Sequence, residues 1–290
     1  MRSLTATHQI NRELIMFEMF NLNFMIQAFA AAVITGLLLS YFGVHVVGRG
    51  IVFVDLALGQ ISSLGVAIAA YLNTGSTWIP IAATIIGAFL LSLIKIKDKR
   101  LKQEAVIGII YAFTSALTVL LISKSPHGDS DIQEVLFGNI LAVSINQITT
   151  LAIIFGILAI IHFIFRKHFF KLTELFEKRR GEEIGLLNIW NFLFYISIGL
   201  AIVFTVEIGG VIPVFSFLII PSVCGIMLSK SNTAVIIGAL IISLLGSFLG
   251  LNLSYHYDFP AGSSIVAVLG ILFVVISAYN AVVKKIKYIQ

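Results

Sequence analysis

The sequence predicts an all-α, polytopic membrane protein: a bundle of about nine transmembrane helices, with eight as the nearest alternative. Three observations carry that prediction. Of 290 residues, 59% are hydrophobic and only 11% are charged, where a soluble domain carries about 25% charged residues. Mean hydropathy is +1.03. Apolar runs recur along nearly the whole chain, at the length of about 20 residues that a hydrocarbon core about 30 Å thick demands. A chain this short of charge cannot cover a water-facing surface, so its solvent is lipid.

The runs fall near residues 22–43, 51–72, 78–95, 105–123, 145–165, 188–206, 211–228, 233–252 and 263–283. Residues 1–21 form a mixed N-terminal segment, and 22–290 read as a single transmembrane domain. The opening residues lack a charged start, an apolar centre and a small-residue cleavage site, so no removable signal peptide is expected. The first span directs insertion itself. The turn-type linker Asn-Thr-Gly-Ser-Thr-Trp separates the second span from the third. The basic run 95–104 precedes the fourth span, and the polar segment 124–144 separates the fourth from the fifth. An error in span count would arise most readily in 124–144. The longest polar stretch, residues 166–187, reads RKHFFKLTELFEKRRGEEIGLL. Only Glu207-Ile208-Gly209-Gly210 stands between the sixth span and the seventh, a tight hairpin. In the eighth, Gly246 and Gly250 have the spacing that lets helix backbones approach closely, although 23 glycines make one such pair unremarkable by count. Trp78, Trp190, Tyr71, Tyr255, Tyr257 and Tyr288 lie near span ends, as interfacial anchors should.

Net charge is +5, but the basic residues form short clusters between apolar runs rather than a nucleic-acid face. With nine spans, all of the 19 lysines and arginines except Arg2, Arg12 and Lys124 fall on one side. That side is expected to be cytoplasmic, with the C-terminus inside and the N-terminus outside. The lone cysteine, Cys224, permits no intrachain disulfide and reads as a small buried apolar residue.

No phosphate-binding loop, zinc-protease motif or nucleophile elbow is present. The chain therefore carries no recognisable nucleotide site, binds no cofactor of its own and is not expected to be an enzyme. Energy for any uphill transport comes from a partner or a coupling ion. Ionisable residues at membrane depth are the functional candidates. Asp55, Gly59 and Ser62 share one face of the second span, as Gln60 and Ser63 share another. Such a strip can line a translocation path, or Asp55 can be an interfacial acid paired with Arg49. The pairing is preferred. Gln60 lies deeper and serves either path lining or interhelical hydrogen bonding. Glu207, at the outer end of the sixth span, can draw cations into a vestibule or reach water. His162 reads as an interfacial or hydrogen-bonded histidine. His256 and Asp258 share an outer loop, and two residues make no tight metal site alone.

Four stretches, in order, resemble the permease family of ABC importers for divalent transition metals, the zinc, manganese and iron group. They are RGIVFVDLALGQISSLGVAIAAY; EAVIGIIYAFTSALTVLLIS with LFGNILAVS at 136–144; EIGGVIPVFSFLIIPSVCGIMLS; and GLNLSYHYDFPAGSSIV. The resemblance runs from about residue 22 to 283. It implies a homodimer in a bacterial inner membrane, a cytosolic ABC ATPase on each copy that holds the ATP, and an extracytoplasmic metal-binding protein that delivers the cargo. It places the coupling loop to the ATPase at 166–187. There Leu175 and Phe176 belong to a short amphipathic helix, and Glu182, Glu183 and Gly185 match the helix-and-glycine pattern that follows. The plain alternative is a solvated basic loop. Family members carry an Asp and, four residues later, a His in the second helix. Aligned on Gly65, those places hold Leu56 and Gln60, and Asp55 comes one residue early, about 100° around the helix. Glutamine is a poor zinc ligand, so zinc and manganese both stay open as cargo. The rival reading, a secondary transporter coupled to protons or sodium, wants inverted repeats and several buried midplane acids. The sequence displays neither.

Overall fold

The computed structural model of the chain describes residues 17–72, 74, 77–94, 101–123, 138–178 and 188–289, with side chains as far as residue 282. Among the described residues there are ten α-helices, two short 3-10 turns and no strand. The helices are α1 (Asn23–Arg49), α2 (Val54–Tyr71), α3 (Trp78–Ser92), α4 (Gln103–Ile122), α5 (Ile145–Ile164), α6 (Arg166–Glu177), α7 (Ile189–Gly209), α8 (Val211–Leu228), α9 (Asn232–Tyr257) and α10 (Ala261–Ile289). Eight are long and apolar enough to cross a membrane. The other apolar one, α3, has 15 residues and spans only about 22 Å at 1.5 Å per residue. The expected span 78–95 is therefore shorter than its apolar run: α3 stops at Ser92 and turns through Leu93.

Helix ends follow local chemistry. Ser144 and Gln147 form a reciprocal capping box at the start of α5, which satisfies donors that the first turn would leave open. Asn188 accepts from the backbone N–H groups of Trp190 and Asn191 and so starts α7. At the other end of α1, Gly50 adopts φ 67° and ψ 37°, the left-handed stop that glycine takes without a Cβ penalty. The first span thus runs two turns beyond residue 43, and His45 and Arg49 are helical.

Helix α1 is the axis of the bundle. It packs against α8, α9, α5 and α6, while α2 packs against α3, α4 and α7. Two-thirds of the apolar window of α1 is buried (67%), against 11% for α10, so α1 is core and α10 is periphery. Approach between α1 and α8 is close: a Cβ on Gly43 would lie 1.7 Å from the Leu218 carbonyl oxygen. The Gly246/Gly250 pair is a genuine contact surface, since a Cβ on Gly250 would fall 2.5 Å from Ile265 Cα on α10.

Pro221 lies inside α8 and has no N–H to give the carbonyl of Phe217, one turn back. In lipid such a carbonyl must find another donor. Ser40 on α1 reaches it: the single hydroxyl proton is shared between Gly36 O at 2.5 Å and Phe217 O at 3.3 Å. Alternating helix directions gather the ends of α1, α3, α5, α8 and α10, the starts of α2, α4, α7 and α9, and all of α6 at one end, with Arg49, Lys102, Arg166 and Lys230. This is the basic end of the bundle.

Candidate functional site

At the basic end, α6 follows α5 after a single turn residue, Phe165. Its residues Phe169, Leu172 and Thr173 are buried and Leu175 and Phe176 half-buried, whereas Arg166, Lys167, Lys171 and Glu174 are exposed. That spacing is one apolar stripe on a helix, and the stripe lies on α1 and α7. On the outer face Lys178 bonds Glu174 at 2.5 Å, one turn apart. This hydrogen bond and the lysine's charge hold the Glu174 carboxyl below the ordinary carboxylate range.

Beneath α6 sits a polar junction that the sequence reading did not contain. The Thr173 hydroxyl donates to Phe169 O at 3.0 Å. The same oxygen accepts from Arg49 Nε at 3.3 Å and lies 2.8 Å from His45 Nδ1. Arg49 Nη1 donates to Asn191 Oδ1 at 3.2 Å, and Asn191 Nδ2 donates to Ser92 O at 3.3 Å. The Arg49 guanidinium stands 3.6 Å from the centroid of the Phe194 ring and 5.7 Å from that of Phe176. Cation–π attraction is strongest in such a desolvated setting. Two stacks reinforce the seat of α6: His162 on Phe169 at 3.9 Å, and His168 on Trp190 at 4.2 Å. The signal in the chain is Tyr41, His45 and Arg49, spaced four apart on one face of α1. It stayed hidden because the apolar run stops at residue 43, before His45 and Arg49.

Two expectations are corrected here. Asp55 does not pair with Arg49, which spends its hydrogen bonds on Thr173 and Asn191. Asp55 is buried, and among the described residues no side chain bonds either carboxylate oxygen; only the backbone N–H groups of Leu56 and of Asp55 itself face it. The chain turns at Gly50 between the two residues, and Arg49 sits against α6 and α7 instead. His162, in the last turn of α5, is not hydrogen-bonded: it is buried, and both ring nitrogens lack partners among the described residues. Cys224 is fully buried, as expected.

The polar strip of α2 faces inward. Asp55, Gly59, Gln60, Ser62 and Ser63 are all buried, and a Cβ on Gly59 would meet Val206, Val211 and Ile202 of α7 and α8 at 3.6 to 3.8 Å. The remaining candidates lie at the far end. Glu207 is exposed, two residues before the turn into α8. His256 and Asp258 are exposed, and Asp258 closes α9 at φ 52°. A cavity of about 300 Å³ opens there between Leu22, Phe24, Met25, Leu141, Ser254, Tyr255, Asp258 and Phe259. The structure thus separates the candidates: Asp55, Leu175 and Phe176 at the basic end, Glu207, His256 and Asp258 at the other, and Gln60 about 7.5 Å inward from Asp55 at helical rise. Glu182, Glu183 and Gly185 lie outside the described residues. Among the described residues no three His, Cys, Asp or Glu gather into a metal-holding group.

Two stretches singled out separately in the sequence meet at the far end. Gly138, of LFGNILAVS, has φ 63°, and a Cβ there would lie 2.2 Å from Gly209 C and 2.3 Å from Gly210 N. Asn139 N donates to Ile208 O at 3.2 Å.

A lipid-spanning helix bundle with an amphipathic helix locked across its basic end defines a multi-pass membrane permease subunit. Residues 21–280 match the model of the ABC 3 transport family, and the chain belongs to that family. It is 31% identical over 260 residues to the manganese transport system membrane protein MntB of Synechocystis, covering 87% of this chain and 81% of that one. It is 27% identical over 271 residues to the chelated iron transport system membrane protein YfeD of Yersinia pestis, covering 91% and 88%. Its fold is similar to a chain of PsaBC from Streptococcus pneumoniae, solved in complex with Fab, with a TM-score of 0.75 at 23% identity over 90% of this chain and 94% of that one.

Proposed function

We propose that this permease moves a divalent transition metal inward, driven by ATP that a separate cytosolic ATPase hydrolyses. The observation that carries the reading is the seat of α6. An amphipathic helix with exposed Arg166, Lys167 and Lys171 lies at the basic end and is bonded directly to the central helix. The basic end is cytoplasmic by the distribution of lysine and arginine, so α6 faces the compartment that holds ATP. Half-buried Leu175 and Phe176 form its contact edge, and Glu182, Glu183 and Gly185 are assigned to ATPase coupling by their sequence pattern alone. Two copies of the chain act together, and an extracytoplasmic binding protein delivers the ion. The sequence points to zinc or manganese as cargo. The names of MntB and YfeD favour manganese and iron. In this reading Glu207, His256 and Asp258 form the outer mouth, and Asp55 and Gln60 the inner part of the path. Ion selectivity in this reading rests with the delivering protein, because Gln60, a poor zinc ligand, stands where the family's second-helix His would be.

The test is co-purification with a candidate ATPase, followed by reconstitution with the binding protein in liposomes. Manganese uptake and metal-stimulated hydrolysis are expected only when ATP is present on the α6 side. Vesicles containing this polypeptide alone that concentrate the ion on a proton or sodium gradient would sink the reading.

A further inference from the structure

We propose that Thr173 is the positioning residue that converts movement of α6 into movement of α1, with Arg49 carrying that movement on to α7 and α3. The proposal rests on the functional reading above and assigns the joint inside it. One hydroxyl ties α6 to α1: it donates within α6 to Phe169 O, accepts from Arg49 Nε and lies 2.8 Å from His45 Nδ1, the last two both on α1. Arg49 continues to Asn191 at the start of α7, and Asn191 to Ser92 O at the end of α3. Thus α6 is tied through one chain of contacts to the two helix groups, one around α1 and the other around α2, α3 and α7.

Backbone geometry at the joint is tight. A Cβ on Gly48 would lie 2.6 Å from Thr173 Cγ2 and 2.8 Å from Glu177 Oε1, so α6 cannot shift toward α1 without α1 yielding. The joint also holds polar atoms in surplus. Tyr41 Oη, His45 Nε2 and Arg49 Nη2 are buried without a partner, a costly condition away from water. Among the described residues no carboxylate pairs with Arg49, which is held by a hydroxyl, an amide and two aromatic faces. An ion pair here would fix one arrangement. Neutral partners and spare donors permit a second arrangement in which α6 has shifted and other atoms of the cluster are satisfied, the property a two-state element requires.

Thr173→Val keeps the shape and the methyl against Gly48 but removes the hydroxyl, and Thr173→Ser restores it. Both are assembled with the ATPase and the binding protein in liposomes, and manganese uptake is measured per ATP hydrolysed. Thr173→Val is expected to assemble and hydrolyse ATP within about twofold of wild type while uptake per ATP falls at least tenfold. Thr173→Ser is expected to recover most of that ratio. An unchanged ratio in Thr173→Val overturns the proposal. So does a parallel loss of assembly, hydrolysis and uptake, which marks a contact that only supports the fold. A second readout needs no ATPase: hydrogen exchange of the permease alone. Removing the hydroxyl is expected to speed exchange in 166–177 and also at the start of α7, residues 189–195. A rise confined to 166–177 counts against transmission. Failure of wild-type vesicles to use ATP would instead strike the functional reading.

Discussion

Gly138 lies against Gly209 so closely that a Cβ on Gly138 would stand 2.2 Å from the Gly209 carbonyl carbon. The contact pins the stretch before α5 onto the α7–α8 turn, beside the exposed Glu207.

Gly138→Ala is therefore expected to be doubly unfavourable. The left-handed conformation costs a residue with a Cβ about 1–2 kcal/mol, and the neighbouring backbone must also move. A melting temperature several degrees below wild type in detergent, with reduced uptake, is the expected outcome. Gly156→Ala is the control, because a Cβ there meets nothing within 4 Å. It is expected to melt at or above the wild-type temperature, since alanine is the better helix former by about 1 kcal/mol.

Ser40 and Pro221 form a second pair whose energetics can be separated. Ser40→Ala leaves Phe217 O without its donor and is expected to cost about 1–3 kcal/mol. In a Pro221→Ala background the restored N–H takes that carbonyl, and the same change is expected to cost much less. A double-mutant cycle on unfolding in detergent measures the difference. Simple additivity would show that the hydroxyl does not serve the proline gap.

Asp55→Asn separates stability from transport. A buried carboxylate without a side-chain partner is unfavourable for folding, so the amide is expected to melt no lower than wild type. If Asp55 is part of the path, uptake falls at least tenfold in the same sample. Unchanged uptake removes Asp55 from the path, and a large drop in melting temperature would show a partner that the fold conceals.

Gly250→Val tests the seam between α9 and α10. Its Cβ meets Ile265 Cα at 2.5 Å, and overpacking of this kind costs about 1–3 kcal/mol. Gly270→Val, on open surface, is expected to be far milder, and comparative melting of the two decides.

The Glu174–Lys178 pair gives a pH dependence of defined sign. The carboxyl is held below its ordinary range by Lys178. Its contribution to α6 is thus complete above the ordinary carboxylate pKa and disappears as pH falls through the lowered value. Wild type and Glu174→Gln are expected to differ slightly in α6 helicity near neutral pH and to converge in acid. The difference is small because the pair is exposed.

Helix number and order were legible because lipid demands long apolar runs, and these are visible residue by residue. The surface helix was legible too, through Leu175 and Phe176, although its buried stripe is Phe169, Leu172 and Thr173. Helix ends were not. Hydropathy marks where apolar residues stop, whereas α1 continues its hydrogen bonding through His45 and Arg49 to Gly50. The junction was hidden for the same reason and for a second one: Arg49 meets Thr173 across 124 residues of sequence. Asp55, six positions away, was the obvious partner on the page, yet the turn at Gly50 separates them. Likewise the two glycine-bearing stretches at 138 and 209 stood out singly, and nothing local indicated that they touch.

The hydroxyl of Ser40 has a bearing on how the molecule is made. A chain delivered to the bilayer from its N-terminus places α1 there well before α8 is synthesised. The donor that covers Phe217 O is thus already waiting when the proline-broken segment arrives. In the opposite order of spans, the naked carbonyl would have to wait among acyl chains for a companion still on the ribosome.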